Sequence, residues 1–301
     1  MYEKRKNKDR RFKAYDFNPL LQYPLIKPCQ GKQFAKAKED FYHAPVPELI
    51  ASRVSTGIFY QMFNEYKTQF SKYFGFIFER YVGVVLENCL SSESLLSEST
   101  IRKFYPTEKG KAPDWIIIDN STAILFECKA TRFSRAAQAI ATEESINSSL
   151  SQVKKGLIQL YEFISAGKNK VSGLEKIYHC NKFIPILISL EPMYLINSVF
   201  FREHINSLIS ERNIPECTWQ ILSVNELEAF QPHCSNKIKL SQILKNSSQK
   251  IFNEVLEELE SRTKKSFGDS FLYSKQEVIF QRLDILERIN QRENAVKGVK
   301  Q

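Results

Sequence analysis

Two apolar runs rich in β-forming residues, Trp115 to Ile118 and Ala123 to Phe126, stand on either side of the polar Asp119, Asn120, Ser121 and Thr122. Apolar β-formers flanking a short polar turn are the local signature of a β-hairpin. Whether the loop is Asn120-Ser121 or all four residues, the pairing is symmetric about the same point. In that register Asp114 falls directly across from Glu127. Cross-strand partners have Cβ atoms about 4.5–5.5 Å apart, close enough for two carboxylates to share one cation. Lys129 lies two residues past Glu127 and so points to the same face, while Cys128 points away. The fold must therefore accommodate two acids and a lysine at one end of a strongly apolar sheet.

Such a cluster is costly on its own. Like charges placed opposite each other destabilise a sheet, and half-buried carboxylates repel or take up a proton. A divalent cation reverses the sign of that interaction. Mg²⁺ takes oxygen ligands, usually one or two carboxylates, with water and phosphate oxygens completing its shell. A site of this kind activates water and stabilises charge on a phosphoryl transition state. Lys129 adds a point charge suited to a scissile phosphate or an attacking water.

Pro113-Asp114, a gap of twelve residues, and then Glu127-Cys128-Lys129 resemble the PD-(D/E)xK nuclease superfamily, and the apolar residues before each acid strengthen the match. The resemblance covers roughly residues 70–230. It implies an α/β fold, a restriction-endonuclease-like mixed sheet flanked by helices. It also implies a Mg²⁺-dependent endonuclease, with Mn²⁺ as a substitute, in which Asp114 and Glu127 bind metal and Lys129 is the catalytic lysine. Products carrying a 5′-phosphate and a 3′-hydroxyl are expected, in a setting such as anti-phage defence or mobile-element processing.

Further site residues are expected on the flanking helices. From about Val54 to Leu90 the pattern is helical, and its second part, Ser71 to Leu90, is apolar almost all round. Glu79 is the anomaly there, an acid with Gly75 and Gly83 one turn below and above it, and it needs a partner. In the superfamily a glutamate from the helix before the hairpin often adds a metal contact, and Glu79 matches that position. After the hairpin, Ser145 to Ala166 forms an amphipathic helix, with Gly167 as its expected stop. Gln152, Lys155 and Gln159 share one stripe of it. Related nucleases place a glutamine or lysine from this helix near the metal water or phosphate, which makes Gln152 and Gln159 catalytic candidates. Lys109, Lys111, Arg132, Arg135 and Lys155 are the candidate nucleic-acid contacts.

A net charge of +9 and a pI near 9.1 favour a polyanionic partner, DNA first. Seven basic residues within the first 13 form a basic arm. Five prolines between residues 14 and 50 predict irregular structure beside it. No apolar run approaches the roughly 18 residues of a membrane span, and the N-terminus has no apolar signal core, so a cytoplasmic protein without a membrane is expected. Six cysteines without a CxxC pair predict reduced thiols. His179-Cys180 and His233-Cys234 lack ligand-like spacing for zinc.

The polar stretch 91–100 reads as a connection, and Ile101 to Tyr105 as the first strand. Phe183 to Leu190 and Thr218 to Val224 read as further strands, Val199 to Arg212 and Asn225 to Phe230 as helices. A boundary is expected within Pro232 to Ser247, followed by helices over Ser248–Lys264 and Lys275–Ala295. The resulting division is an arm and wrapping segment (1–53), a nuclease core (54–232) and a C-terminal helical appendage (233–301). The appendage suits a homodimer or partner-protein interface. Two alternatives remain open from the residues alone: a non-catalytic nucleic-acid-binding subunit on the same fold, and a ribonuclease.

Overall fold

The structure is a computed structural model and describes residues 20, 23–27, 42–54, 56–91, 93–130, 143–192, 203, 206–207, 219–247 and 252–282. The chain divides into two compact units, residues 1–76 with 133–149 and residues 77–132 with 150–301. The expected basic arm and the helix over 199–212 lie wholly or largely outside the described residues. Among those residues no helix is long and apolar enough to cross a membrane.

In the first unit Ile26 and His43 exchange backbone hydrogen bonds of 2.8 Å. Helix α1 covers Glu48–Val54, and α2 begins at Thr56 and runs to Glu87. At Lys67 the backbone of α2 leaves the helical region, with φ 44° and ψ −118°. Residues fifteen apart on a straight helix are separated by roughly 22 Å along the axis. The ring centroids of Phe59 and Phe74 are nevertheless 5.0 Å apart, and those of Phe59 and Phe70 5.4 Å. The helix folds back at Lys67, and edge-on aromatic packing holds the two arms together.

The second unit is built on a five-stranded mixed sheet: β1 Ser94–Ser97, β2 Trp115–Asp119, β3 Thr122–Lys129, β4 Lys182–Ser189 and β5 Gln220–Ser223, in that spatial order. The first three strands form an antiparallel meander, and β4 and β5 join in parallel. Asp119 pairs with Thr122, so the hairpin loop is Asn120-Ser121, and Asn120 takes the positive φ of 52° that a tight turn requires. Helices α3 Glu98–Ile101, α4 Glu143–Lys168, α5 Val224–Phe230, α6 Leu240–Ser247, α7 Phe252–Thr263 and α8 Phe271–Arg282 are also described, with short 3-10 turns between some of the elements.

Side-chain alternation sorts the core into two layers. Ile117, Ile124, Phe126, Ile184, Ile186 and Leu222 face Phe78, Val82, Val85 and Leu86 of α2, together with apolar residues of α5, α6 and α7. Ile116, Ala123, Leu125 and Phe183 face Leu160, Phe163 and Ile164 of α4. Strand β4 is buried on both faces, as a parallel strand between covered faces should be. The expected mixed sheet flanked by helices is thus the observed one.

Three expectations are corrected. The first strand is Ser94–Ser97, inside the stretch read as a connection, and Ile101 ends a helical turn. Ser97 caps that turn, its side chain accepting from Thr100 N, and the chain leaves the strand there. Helix α4 continues past Gly167 to Lys168. Gly167 instead makes room for Ile177, whose Cδ1 would lie 2.7 Å from a Cβ at that position. The boundary expected near residue 232 falls inside the core, because Leu240, Ile243, Leu244, Val255 and Leu259 are buried against the sheet layer. Helix α6 is also tied to the hairpin turn: Lys239 Nζ and Ser241 Oγ donate to the two oxygens of Asp119, both at 2.6 Å.

At Gly83 α2 passes close to β2, with Trp115 Cζ2 2.2 Å from the position a Cβ would occupy. Gly83→Ala must displace that indole and strain its Nε1 bond to Glu79 O (3.1 Å). A loss of roughly 1–3 kcal/mol is expected from such overpacking. Urea unfolding followed by tryptophan emission measures it, and an unchanged midpoint would mean that the indole moves at no cost.

Candidate active site

The pairs Trp115–Phe126 and Asp119–Thr122 fix the hairpin register. The next pair outward is Asp114 with Glu127, as the sequence predicts. Asp114 Oδ2 accepts a 2.6 Å hydrogen bond from Cys128 N, which turns its carboxylate toward β3. The Glu127 side chain is only 2% exposed. Its Oε1 lies 2.5 Å from Lys129 Nζ, and its Oε2 accepts from Gln159 Nε2 at 2.7 Å. The same Gln159 amide donates to Ala112 O at 2.9 Å, tying α4 to the segment that leads into Asp114. One turn before Gln159, Gly156 permits this approach, since a Cβ there would lie 3.2 Å from both Glu127 Cγ and Lys129 Cε.

Two more carboxylates converge on Asp114. Glu79 comes from α2, and its backbone carbonyl receives the Trp115 indole. Glu98 starts α3, and its backbone N–H donates to Asp114 O at 2.8 Å. One carboxylate oxygen from each of Glu79, Glu98 and Asp114 lies within 4.8 Å of the others. Arg102 holds Glu98 in place, with Nε and Nη2 both 3.0 Å from Oε1 and Nη1 donating to Gly110 O at 2.6 Å.

The electrostatics follow from burial and crowding. Burial, then the charges of Asp114 and Glu98, push the Glu79 carboxyl up to about 7. Burial and the Asp114 charge push Glu127 up to about 8, against the pull of Lys129. Asp114 is also raised, chiefly by burial, although the Cys128 N–H bond and Lys129 oppose the shift. Burial alone would lower the Lys129 ammonium, yet Glu127 and Asp114 hold it above the ordinary lysine value. One ammonium among four acids is fully charged and still insufficient.

The donor set fits a hard divalent cation. It consists of carboxylate oxygens, with neither imidazole nor thiolate among them, and the Cys128 thiol is pushed upward by burial. Asp114, Glu127 and Glu79 are the sequence-predicted residues that could hold it, and Glu98 is one that the sequence reading missed. Its signals were faint: a Ser-Leu-Leu-Ser strand hidden in a polar stretch, and an arginine four residues after the acid.

The remaining candidates separate. Gln159 reaches the site. Gln152 and Lys155 are exposed on the same helix, two turns and one turn before Gln159. Lys109 is taken up by Ser172, donating to its carbonyl at 2.9 Å and its hydroxyl at 3.3 Å. Lys111 is exposed. Arg132 and Arg135 lie outside the described residues. The two His-Cys pairs are engaged elsewhere: His179 Nε2 is 3.0 Å from Asn120 O, and His233 Nδ1 is 2.8 Å from Thr263 Oγ1.

No family model matches the chain, and no curated protein matches it. Among solved structures it is similar to the small subunit of the heterodimeric restriction endonuclease R.BspD6I, at 16% identity and a TM-score of 0.33, covering 62% of this chain and 89% of that one. So slight a likeness carries no argument about function, which rests on the side chains described above.

The raised carboxyls make a signed prediction. Glu79 and Glu127 bind more protons folded than unfolded between about pH 4.5 and their values of about 7 and 8. The stability they contribute is present below about pH 4.5 and is lost as pH rises through those values. Melting in EDTA should fall from pH 5 to pH 9, the fall should be shallower in Glu127→Gln, and millimolar Mg²⁺ should restore the melting temperature mainly at the alkaline end. A metal effect equal at pH 5 and pH 9 would contradict this reading.

Proposed function

We propose that the protein is a metal-dependent nuclease that hydrolyses phosphodiester bonds of DNA. The observation that carries this reading is the gathering of Glu79, Glu98 and Asp114 within 4.8 Å, beside a Glu127–Lys129 pair, at the open end of an apolar hairpin. Four acids and one lysine form an arrangement that binding of a polyanion alone would not favour. A cation together with a phosphate would balance it.

Asp114, Glu127 and Glu79 would hold the metal. Mg²⁺ bound there, or Mn²⁺ in its place, would polarise a phosphoryl oxygen and acidify a water. Lys129 stays protonated and presents a positive charge on the same face, where a scissile phosphate oxygen or the attacking water can meet it. Gln159 fixes the orientation of Glu127 by spanning its Oε2 and Ala112 O. Attack of water on phosphorus breaks the bond to the 3′ oxygen, which leaves as the hydroxyl, and the phosphate remains on the 5′ side. The overall charge of +9 and the exposed Lys111 and Lys155 suit a phosphate backbone as the substrate scaffold.

The test is cleavage of supercoiled, linear and single-stranded DNA with Mg²⁺, Mn²⁺ or EDTA, the parent protein beside Asp114→Ala and Lys129→Ala. Metal-dependent cutting is expected, reduced by about 10²–10³ in each variant, as for removal of one electrostatic group from a reacting centre. Cleavage of labelled RNA but not DNA would change the substrate while keeping the chemistry. Tight DNA binding without cutting, unaltered in both variants, would overturn the proposal in favour of a binding module.

A further inference from the structure

Glu98 occupies a position in the sheet that only the register reveals. Strand β1 pairs Ser97 with Trp115, and the same antiparallel register carried one step further sets Glu98 opposite Asp114. The bond from Glu98 N to Asp114 O, 2.8 Å, closes that step. On its other side Asp114 stands opposite Glu127 by the pairing of Trp115 with Phe126. Three acids therefore lie side by side across the ends of three adjacent strands, on the face that carries Leu96, Ile116 and Leu125. Like charges directly opposite one another are unfavourable in a sheet, and this row contains two such pairs.

The surroundings orient Glu98 without neutralising the row. Both side-chain bonds from Arg102 fall on Oε1, and Oε2 has no hydrogen-bond partner among the described residues. The guanidinium is itself anchored on Gly110 O, so it acts as a brace for the glutamate. The Glu98 side chain is 37% exposed, so a cation can reach it, while that of Glu127, at 2%, is enclosed by Lys129 and Gln159.

We propose that Glu98 is a direct ligand of the divalent cation, so that the ion sits among Glu98, Asp114 and Glu79 on the β1 side of Asp114. This rests on the metal-dependent reading above, adds to it a ligand and a location, and exchanges Glu127, whose two oxygens meet Lys129 and Gln159, for Glu98 among the ligands. Arg102 is a positioning residue in this arrangement, acting through Glu98.

The test uses Mn²⁺ alone and does not depend on catalysis: free Mn²⁺ is counted by its paramagnetic resonance signal during titration of the full chain. Glu98→Gln keeps the shape of the side chain and an acceptor for Arg102. Its Mn²⁺ affinity should fall at least about tenfold, the scale on which even indirect metal-site partners act. Glu98→Asp, which keeps the charge, should bind more tightly than Glu98→Gln, and this comparison holds even if both variants melt somewhat lower in EDTA. If the parent binds Mn²⁺, Asp114→Asn loses it, and Glu98→Gln binds as the parent does, the placement of Glu98 is overturned and the metal reading stands. If the parent binds no Mn²⁺, the metal reading falls and the inference with it.

Discussion

Mutual repulsion among carboxylates that the backbone does not allow to separate governs this molecule. Asp114 cannot move away from Glu127 without breaking the ladder that pairs Trp115 with Phe126, nor from Glu98 without breaking the one that pairs it with Ser97. Strand pairing is cooperative and the side-chain period is two, so a slip of one residue would exchange the residues of β2 and β3 that fit α2 with those that fit α4. The hydrophobic layers thus fix the register, and the register forces the acids together. Lys129, Gln159 and Arg102 reduce the resulting strain without removing it, and the raised Glu79 and Glu127 carboxyls show what is left.

The two layers contribute differently. The α2 side supplies an acid and a tight joint, with Gly83 under the Trp115 ring and the indole N–H on Glu79 O. The α4 side supplies a polar clamp, with Gly156 letting the helix approach so that Gln159 reaches Glu127. Both glycines sit where the helix meets a site residue or its neighbour. A methyl group at either would displace a residue of the acid cluster or its neighbour as well as disturb packing.

The hairpin was legible because it is local: two β-rich runs and a polar turn determine the Asp114–Glu127 pairing without knowledge of anything distant. Glu79 was legible as an anomaly, an acid on an apolar helix, and Gln159 as one of three equivalent positions on a stripe. Distance to the site then separates Gln159 from Gln152 and Lys155, and no periodicity encodes that distance. Glu98 was missed because β1 has four residues, two of them serine, and its strand character comes from pairing with β2 rather than from propensity. The boundary near Pro232 was misplaced for a related reason. An amphipathic helix such as α6 shows an apolar face without showing what that face covers.

What α6 and α7 cover has a consequence for how the protein could be shortened or trimmed. Leu240, Ile243, Leu244, Val255 and Leu259 lie over the same layer as Ile184, Ile186 and Leu222. Lys239 and Ser241 hold the turn of the hairpin whose far end carries the acids. An expression fragment ending near residue 235 would bare the part of that layer that α6 and α7 cover and release the hairpin turn. Such a fragment would aggregate rather than persist as a smaller folded protein.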